Sequence, residues 1–221
     1  MTIRQRLLTR PRLYRGVRAI YRVIFRPHWL VKQAIRRAGK NGIFDSESEM
    51  EMASHCPKSL LDLLLRMYAP TSVIDIGAGT GQAVAYLLEN GITNVCGLEG
   101  SRLAISKSKY PGHMICQDLR RQVDLRSSRY DVVWSYEVAE HLHPDHADNL
   151  VRIMTTLSDL VVMSAAQPGQ GGEGHLNEQP PLYWIRKFKQ RGFALREADT
   201  EEFRRQPDPF ARNMMVFALT Q

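Results

Sequence analysis

A short apolar run that ends in three closely spaced glycines places the strongest constraint on the fold of this chain. Residues 73–76 are apolar apart from Asp75, and Gly77, Gly79 and Gly81 follow them. An apolar pattern with helical spacing begins directly afterwards, so the stretch predicts a strand, a tight turn and a helix. In an open α/β sheet such a turn lies at the carboxyl end of a strand, where ligands bind. Its glycines let the backbone approach a ligand closely, and the helix start offers free N–H groups to a carboxylate or phosphate.

Strands and helices alternate along the rest of the chain. The patterns predict helices at 57–67, 83–88, 102–109, 144–157 and 181–191, and strands at 73–76, 94–98, 114–117, 130–135, 160–164, 193–198 and 214–219. This alternation predicts an α/β fold with a mostly parallel sheet and right-handed crossovers. No helical pattern separates the last two strands, which therefore predict an antiparallel hairpin at or near the sheet edge, joined by a long loop.

The positive net charge of +7 is concentrated at the N-terminus. Residues 1–44 contain twelve Lys and Arg and no acidic residue, which leaves 18 basic and 23 acidic residues elsewhere. We therefore divide the chain into a basic helical arm with a linker, 1–56, and an α/β domain, 57–221. Within 1–38, apolar and aromatic residues at helical spacing separate the arginines, and Pro11 and Pro27 interrupt the pattern. Such an arm fits a cap packed on the core, an anionic membrane surface or nucleic-acid phosphates.

The cysteine content and hydropathy indicate a cytoplasmic protein. Three cysteines without CxxC spacing, Cys56, Cys96 and Cys116, argue against a disulfide framework and predict buried, reduced thiols. No apolar run approaches the length of a membrane-spanning helix. The basic N-terminus lacks the apolar core and cleavage site of a signal peptide.

The glycine spacing alone does not identify the ligand of the turn. It is GxGxG, with Gln82 where a dinucleotide-binding motif has its last glycine. Glu99 closes the second predicted strand, where an acid can accept two hydrogen bonds from ribose hydroxyls. Asp118 follows the third strand and could accept a hydrogen bond from an adenine amino group, with Leu119 against the ring.

Together, residues 75–81, Glu99, Asp118 and residues 130–135 resemble the motifs of the class I S-adenosylmethionine-dependent methyltransferases, in order and at the usual spacing. The resemblance covers residues 57–221. It implies a Rossmann-like three-layer sandwich around a seven-stranded, mostly parallel sheet with an antiparallel last strand. It also implies S-adenosylmethionine as the cofactor, with its methionine part, ribose and adenine contacted by the following residues: Asp75, Gly77, Ala78, Gly79, Glu99, Gly100, Asp118, Leu119 and Ser135.

Acidic and histidine residues just beyond the fourth strand are the candidates for the methyl-acceptor side. If residues 137–141 are helical, Glu137, Glu140 and His141 share one face. The stretch is similar to the ExxEH segment of ubiquinone-biosynthesis O-methyltransferases and of small-RNA 2′-O-methyltransferases. In the latter, two glutamates, this histidine and a later histidine hold magnesium, and His175 could be that later histidine. We expect His141, His175 and Glu137 to act in catalysis as base or positioning residues without a metal. A divalent ion on Glu137, Glu140, His141 and His175 is the second option.

The loop 167–175 contains four glycines in its last seven residues and ends at His175. This composition favours a mobile lid over the acceptor. The sequence thus predicts a methyltransferase that acts on the oxygen of a small molecule, glycan or lipid-linked intermediate, with the arm at an anionic membrane or in the acceptor pocket. The alternatives are an RNA methyltransferase that binds nucleic acid through the arm, and a catalytically silent binding protein on the same fold. His143 and His146 are expected to be exposed residues at a helix start.

Overall fold

A computed structural model describes residues 55–121 and 129–220. The basic arm and most of the linker predicted at 1–56 lie outside these residues. In the described part of the chain, helices and strands alternate as the sequence predicts. The helices are α1 Lys58–Tyr68, α2 Gln82–Glu89, α3 Arg102–Ser106, α4 Ala147–Leu157, α5 Pro181–Lys189 and α6 Glu197–Arg204. The strands are β1 Ser72–Ile76, β2 Asn94–Glu99, β3 Met114–Cys116, β4 Val132–Ser135, β5 Leu160–Ser164, β6 Phe193–Leu195 and β7 Met214–Leu219.

The seven strands form one sheet in the order β3-β2-β1-β4-β5-β7-β6. Strands β1 to β5 are parallel, and β7 runs antiparallel to both β5 and β6. This confirms the predicted seven-stranded, mostly parallel sheet with a reversed last strand. The strand order changes direction between β1 and β4, so a crevice for a ligand opens at the carboxyl ends of these two strands.

Side chains alternate between the two faces of the sheet and build one apolar cluster on each side. Ile74, Val133 and Met163 pack on one face with helices α4 and α5. The intervening residues Val73 and Trp134 pack on the other face with α1, α2 and α6. The strands are buried on both sides because helices cover both faces, which is the three-layer arrangement that the sequence predicts.

Two predicted features of the C-terminal region are wrong. Helix α6 separates β6 from β7, whereas no helix is expected there from the sequence. The predicted strand 193–198 ends at Leu195.

The predicted burial of all three thiols is also wrong, because Cys116 is exposed and Cys56 and Cys96 are partly buried, although all three are free. Within the described residues, no helix is both long and apolar enough to cross a bilayer.

Candidate functional site

The glycine turn at the end of β1 has the backbone shape that its sequence predicts. Gly77, Gly79 and Gly81 have φ angles of 78°, 54° and 76°, in the region that L side chains rarely adopt. The N–H groups of Gly77 and Ala78 both donate to the carbonyl of Leu98, at 2.9 and 3.0 Å. The turn is therefore fixed against the end of β2, while α2 begins at Gln82, after the N-cap residue Gly81, without a side-chain cap. Its first N–H groups are left for a ligand.

Glu99 is buried and connects the glycine turn to the next loop. Its Oε2 accepts a hydrogen bond from the N–H of Gly79 at 2.9 Å, and its Oε1 accepts one from the N–H of Ser101 at 2.7 Å. Burial raises the pKa of Glu99, and the backbone N–H groups partly offset this effect. The backbone thus fixes the orientation of this carboxylate at the end of β2.

Asp75 lies within β1, one residue before the strand ends, and is only 4% exposed. Burial, together with the negative charge of Glu99, raises the pKa of Asp75 to about 8. Two carboxyl groups near one crevice favour a ligand that carries positive charge, since such a ligand would stabilise their ionised forms.

Asp118 contacts a neighbour that sequence reasoning did not consider. Its two oxygens accept hydrogen bonds from Nε and Nη2 of Arg120 at 2.8 and 2.7 Å. The hydrogen bond from Arg120 is the main cause of a lowered pKa of Asp118, although burial acts in the opposite direction. Leu119 is buried in the core, and Asn149 donates to its carbonyl at 2.8 Å. The predicted adenine acceptor is therefore already paired, and an adenine amino group would share the carboxylate with Arg120.

Ser135 does not present its side chain to a ligand, contrary to the sequence-based prediction. The side chain is fully buried, and its hydroxyl donates to the carbonyl of Ile76 at 2.9 Å. The hydroxyl instead joins the ends of β1 and β4. Gly100 lies just beyond Glu99, and its carbonyl accepts a weak hydrogen bond from the thiol of Cys116 at 3.8 Å.

Glu137 does not share a helical face with Glu140 and His141, because its φ angle is 51° and only 139–141 form a 3₁₀ turn. Its carboxylate is held by two amides: Gln170 donates from Nε2 at 2.8 Å, and Asn213 donates from Nδ2 at 3.0 Å. Glu137 therefore connects the end of β4 with the glycine-rich loop and with the segment before β7.

Glu140, His141 and His175 are the three predicted residues that the fold brings together on the acceptor side. One potential ligand atom from each of them lies within 4.8 Å of the other two. The two imidazole rings are nearly perpendicular, with centroids 4.9 Å apart. Glu140 is fully buried, and within the described residues neither of its carboxylate oxygens has a hydrogen-bond partner of ordinary geometry. Burial raises the pKa of Glu140 well above its usual value, and the nearby Glu137 adds to this.

Backbone hydrogen bonds explain why His175, 34 residues away in sequence, reaches His141. The N–H groups of Leu176 and Asn177 both donate to the carbonyl of Glu140, at 2.7 and 2.9 Å. The connection that leaves β5 is thereby fastened to the 3₁₀ turn after β4. His143 and His146 are at a helix start, as expected, but their predicted exposure is wrong, because each is half-buried.

A second polar cluster at this edge was missed by sequence reasoning. Nε2 of His55 lies 3.0 Å from Oδ2 of Asp208, whose Oδ1 accepts a hydrogen bond from the hydroxyl of Tyr136 at 2.6 Å. The rings of His55 and Tyr136 have centroids 5.9 Å apart. The thiol of Cys56 donates weakly to the carbonyl of Gln82, at 3.8 Å. This cluster therefore spans the crevice between β1 and β4, and no local motif near any of its members signals it.

The family comparison agrees with the site geometry. The model of a family described as "Methyltransferase domain" matches residues 74–160, from the glycine turn to the start of β5. No curated protein sequence matches the chain.

Solved structures share the fold at low sequence identity. The methyltransferase domain of a bacterial Hen1, CtHen1, is 18% identical, with a TM-score of 0.57 over 75% of this chain and 100% of its own. Magnesium protoporphyrin IX methyltransferase from Synechocystis, solved with S-adenosylhomocysteine, is 15% identical, with a TM-score of 0.57 over 92% and 100%. The sugar N-methyltransferase KedS8 from Streptoalloteichus is 15% identical, with a TM-score of 0.59 over 76% and 88%.

The family model covers the glycine turn, Glu99 and the end of β4, which are the elements that form the crevice. The sheet order and the reversed β7 complete the fold that the neighbours share. Residues 74–160 therefore match a methyltransferase domain, and the described residues have the fold of solved methyltransferases.

Proposed function

We propose that this methyltransferase transfers the methyl group of S-adenosylmethionine to a hydroxyl oxygen of a small molecule, glycan or lipid-linked intermediate. The observation that carries the proposal is the cluster of Glu140, His141 and His175 at the edge of the sheet where the glycine turn ends. Potential proton acceptors at this edge support the proposal, because ligands of open α/β sheets bind outside the carboxyl ends of the strands.

The chemistry of methyl transfer explains why such a cluster is useful. The donor sulfonium is already a good leaving group, so the enzyme mainly has to align the acceptor and remove its proton. A hydroxyl needs this help because it holds its proton tightly at neutral pH. Histidine is suited to the role because its ordinary pKa lies close to neutrality. His141 or His175 would accept the proton.

The same three residues also fit a divalent metal ion. A fully buried carboxyl group that has no hydrogen-bond partner of ordinary geometry in the described part of the chain is unusual, and a cation beside it would satisfy its oxygens. Glu140, His141 and His175 offer one carboxylate and two imidazoles, a set that suits zinc, iron or manganese. Glu137 is not in this group, because its carboxylate is taken by Gln170 and Asn213. A bound ion would polarise the acceptor hydroxyl and lower its pKa.

The role proposed for residues 1–38 is to bring the enzyme to its acceptor. Their basic residues and aromatic side chains suit an anionic membrane, which would concentrate a lipid-linked substrate. The second candidate function is RNA methylation, in which the same charge would bind phosphates and the acceptor would be a ribose hydroxyl. Because the histidine cluster suits proton removal from a hydroxyl, methylation of a ribose hydroxyl is favoured over methylation of an amide nitrogen.

A labelling experiment tests the donor and the acceptor class together. Calorimetry with S-adenosylhomocysteine should first show binding, and its absence from the intact protein would overturn the donor assignment. Tritiated S-adenosylmethionine should then label polar metabolites or lipids from cell extracts rather than RNA. Label confined to RNA would support the second candidate, and binding without any transfer would indicate a silent protein. An N-methylated product would refute the hydroxyl proposal.

Two histidine variants test the acceptor cluster. His175→Ala should reduce methyl transfer at least tenfold while the affinity for S-adenosylhomocysteine stays within about twofold. The matched control is His143→Ala, which removes a half-buried histidine outside the cluster and should leave both unchanged. Elemental analysis of the two purified variants would report the metal, which should be lost only from His175→Ala. Equal loss of transfer and of cofactor affinity would make His175 a structural residue.

A further inference from the structure

The carboxylate of Glu178 joins two parts of the acceptor side that the sequence leaves separate. Its Oε2 accepts a hydrogen bond from the N–H of Gly169 at 2.8 Å, and its Oε1 accepts one from the N–H of Gly171 at 2.7 Å. The same Oε1 lies 3.0 Å from Nδ1 of His175. One side chain therefore contacts both the glycine-rich loop and a histidine of the acceptor cluster.

The loop needs such a contact to hold one conformation. Within 167–175 the glycines have positive φ angles at Gly169, Gly171, Gly172 and Gly174, and glycine loses more conformational freedom on ordering than any other residue. The two hydrogen bonds to Glu178 fix the backbone near the middle of the loop. Partial burial acts to raise the pKa of Glu178, but the hydrogen bonds from His175, Gly169 and Gly171 outweigh it and lower the pKa. The carboxylate therefore stays ionised and able to accept from all three donors.

The contact with Glu178 also selects the form of the His175 ring. An ionised carboxylate only accepts hydrogen bonds, so Nδ1 of the neutral ring must carry the proton, and Nε2 must carry the lone pair. A side chain at Gly172 would cover that nitrogen, because a Cβ placed there would lie 2.4 Å from Nε2 of His175. Glycine at 172 avoids this clash, so no side chain at that position blocks Nε2.

The backbone holds this arrangement in place relative to Glu140. The N–H groups of Leu176 and Asn177 donate to the Glu140 carbonyl, and they lie between His175 and Glu178 in the sequence. The ring and the carboxylate that orients it are thus both attached to the same short, anchored segment.

We propose that Glu178 is a positioning residue that couples closure of the loop 167–175 to the orientation of His175. When the loop is closed, Glu178 holds His175 with Nε2 available, and when the loop opens, this hydrogen bond and the two to the loop backbone are lost together. The proposal rests on the proposed role of His175 in acceptor activation. It assigns to Glu178 a role in the timing of catalysis, because His175 has the orientation needed for its proposed role only when the loop is closed.

The test measures the tautomer of the His175 ring and the protection of the loop backbone separately, in the intact protein without cofactor or acceptor. Nitrogen-15 NMR above the ordinary pKa of imidazole reports the tautomer of His175, whose signals are identified by their absence from His175→Ala. Amide hydrogen exchange reports the N–H groups of Gly169 and Gly171. In the wild type we expect the Nδ1–H tautomer and slow exchange at both glycines. In Glu178→Ala the Nε2–H tautomer should appear and exchange at both glycines should rise about tenfold or more.

Two further variants complete the test. Glu173→Ala removes an exposed glutamate of the same loop and should change neither reading. Glu178→Gln keeps the shape but leaves a single acceptor oxygen, so it should lose protection at one of the two glycines if Glu178→Ala fails to fold. The proposal is overturned if the tautomer and the exchange rates stay as in the wild type, or if only one of them changes. Because neither reading involves methyl transfer, failure of the proposed acceptor chemistry would leave this result intact and distinguishable.

Discussion

Asp75→Asn should make the protein more stable and at the same time weaken its binding of the cofactor. Asp75 is 4% exposed in the middle of the sheet, and no hydrogen bond to its carboxylate is found among the described residues. Burial together with the charge of Glu99 raises the pKa of Asp75 to about 8 from 3.8. The folded protein therefore disfavours the ionised form, whereas the unfolded chain does not. The cofactor carries an ammonium group that would compensate this charge, and the resemblance to the family places that group near Asp75.

The magnitude follows from the difference between the two pKa values. The free energy of unfolding falls as the pH rises from the pKa of Asp75 in the unfolded chain toward its pKa in the folded protein. The loss is about 1.4 kcal/mol per pH unit. At pH 7 this amounts to at most about 4 kcal/mol for a single carboxyl group. An asparagine still has to bury its amide, so we expect a net gain of about 2 kcal/mol, or about 6 °C in melting temperature. The cost of burying the amide does not depend on pH. The advantage of the variant should therefore grow by about 3 kcal/mol between pH 5 and pH 7.

Urea unfolding of the cofactor-free protein at pH 5 and pH 7 measures the net gain in stability and its change with pH. Calorimetry with S-adenosylhomocysteine measures the accompanying loss of affinity, which we expect to be about tenfold. Asp145→Asn is a suitable control, because this carboxylate is 81% exposed and should show little change. A variant that is less stable than the wild type near neutral pH would refute the electrostatic reasoning. So would an advantage that is the same at both pH values.

Three further changes have effects that can be derived from single contacts. Glu99→Ala leaves two backbone N–H groups unpaired and should lower stability by about 2–4 kcal/mol in urea unfolding, with a clear loss of S-adenosylhomocysteine binding. Gly77→Ala would place a Cβ 2.5 Å from both methyl groups of Val138, whereas Gly91→Ala meets open space at a similar positive φ. The first should therefore cost at least 2 kcal/mol more than the second, which should cost about 1 kcal/mol, and equal costs would contradict the steric argument. If the cluster holds the proposed metal ion, Glu140→Gln should reduce the metal content of the purified protein in elemental analysis, and unchanged content would exclude Glu140 as a ligand.

The sheet was predictable because its signals are local. Each central strand is an apolar run bounded by turn residues, and the glycine turn has a sequence that few other structures tolerate. Helix α6 was missed because Glu197–Arg204 is mostly polar, and only Thr200 and Phe203 of it are buried. Such a helix has little apolar periodicity, and it forms because the tertiary fold buries those two residues.

The candidate site was predictable only in part, for a related reason. The motif residues Asp75 and Glu99 follow directly from strand ends, so their positions depend on local structure. The helical face expected for residues 137–141 requires ordinary dihedral angles, and the φ angle of 51° at Glu137 prevents it. The pairing of His55 with Asp208 joins residues 153 positions apart, and no periodicity in the sequence reports a contact at that distance.

The reversed direction of β7 determines the edge of the sheet at which the segment between α6 and β7 ends. Because β7 starts at Met214, opposite Ser164 at the carboxyl end of β5, the segment that precedes it reaches the crevice. In a wholly parallel sheet that segment would lie at the opposite edge, and Asp208 and Asn213 would face away from the crevice. The N–H groups of residues 77–79 donate to the end of β2, so these hydrogen bonds do not involve β7. Insertions between α6 and β7 would therefore lie beside the crevice without altering the hydrogen bonds that fix the glycine turn.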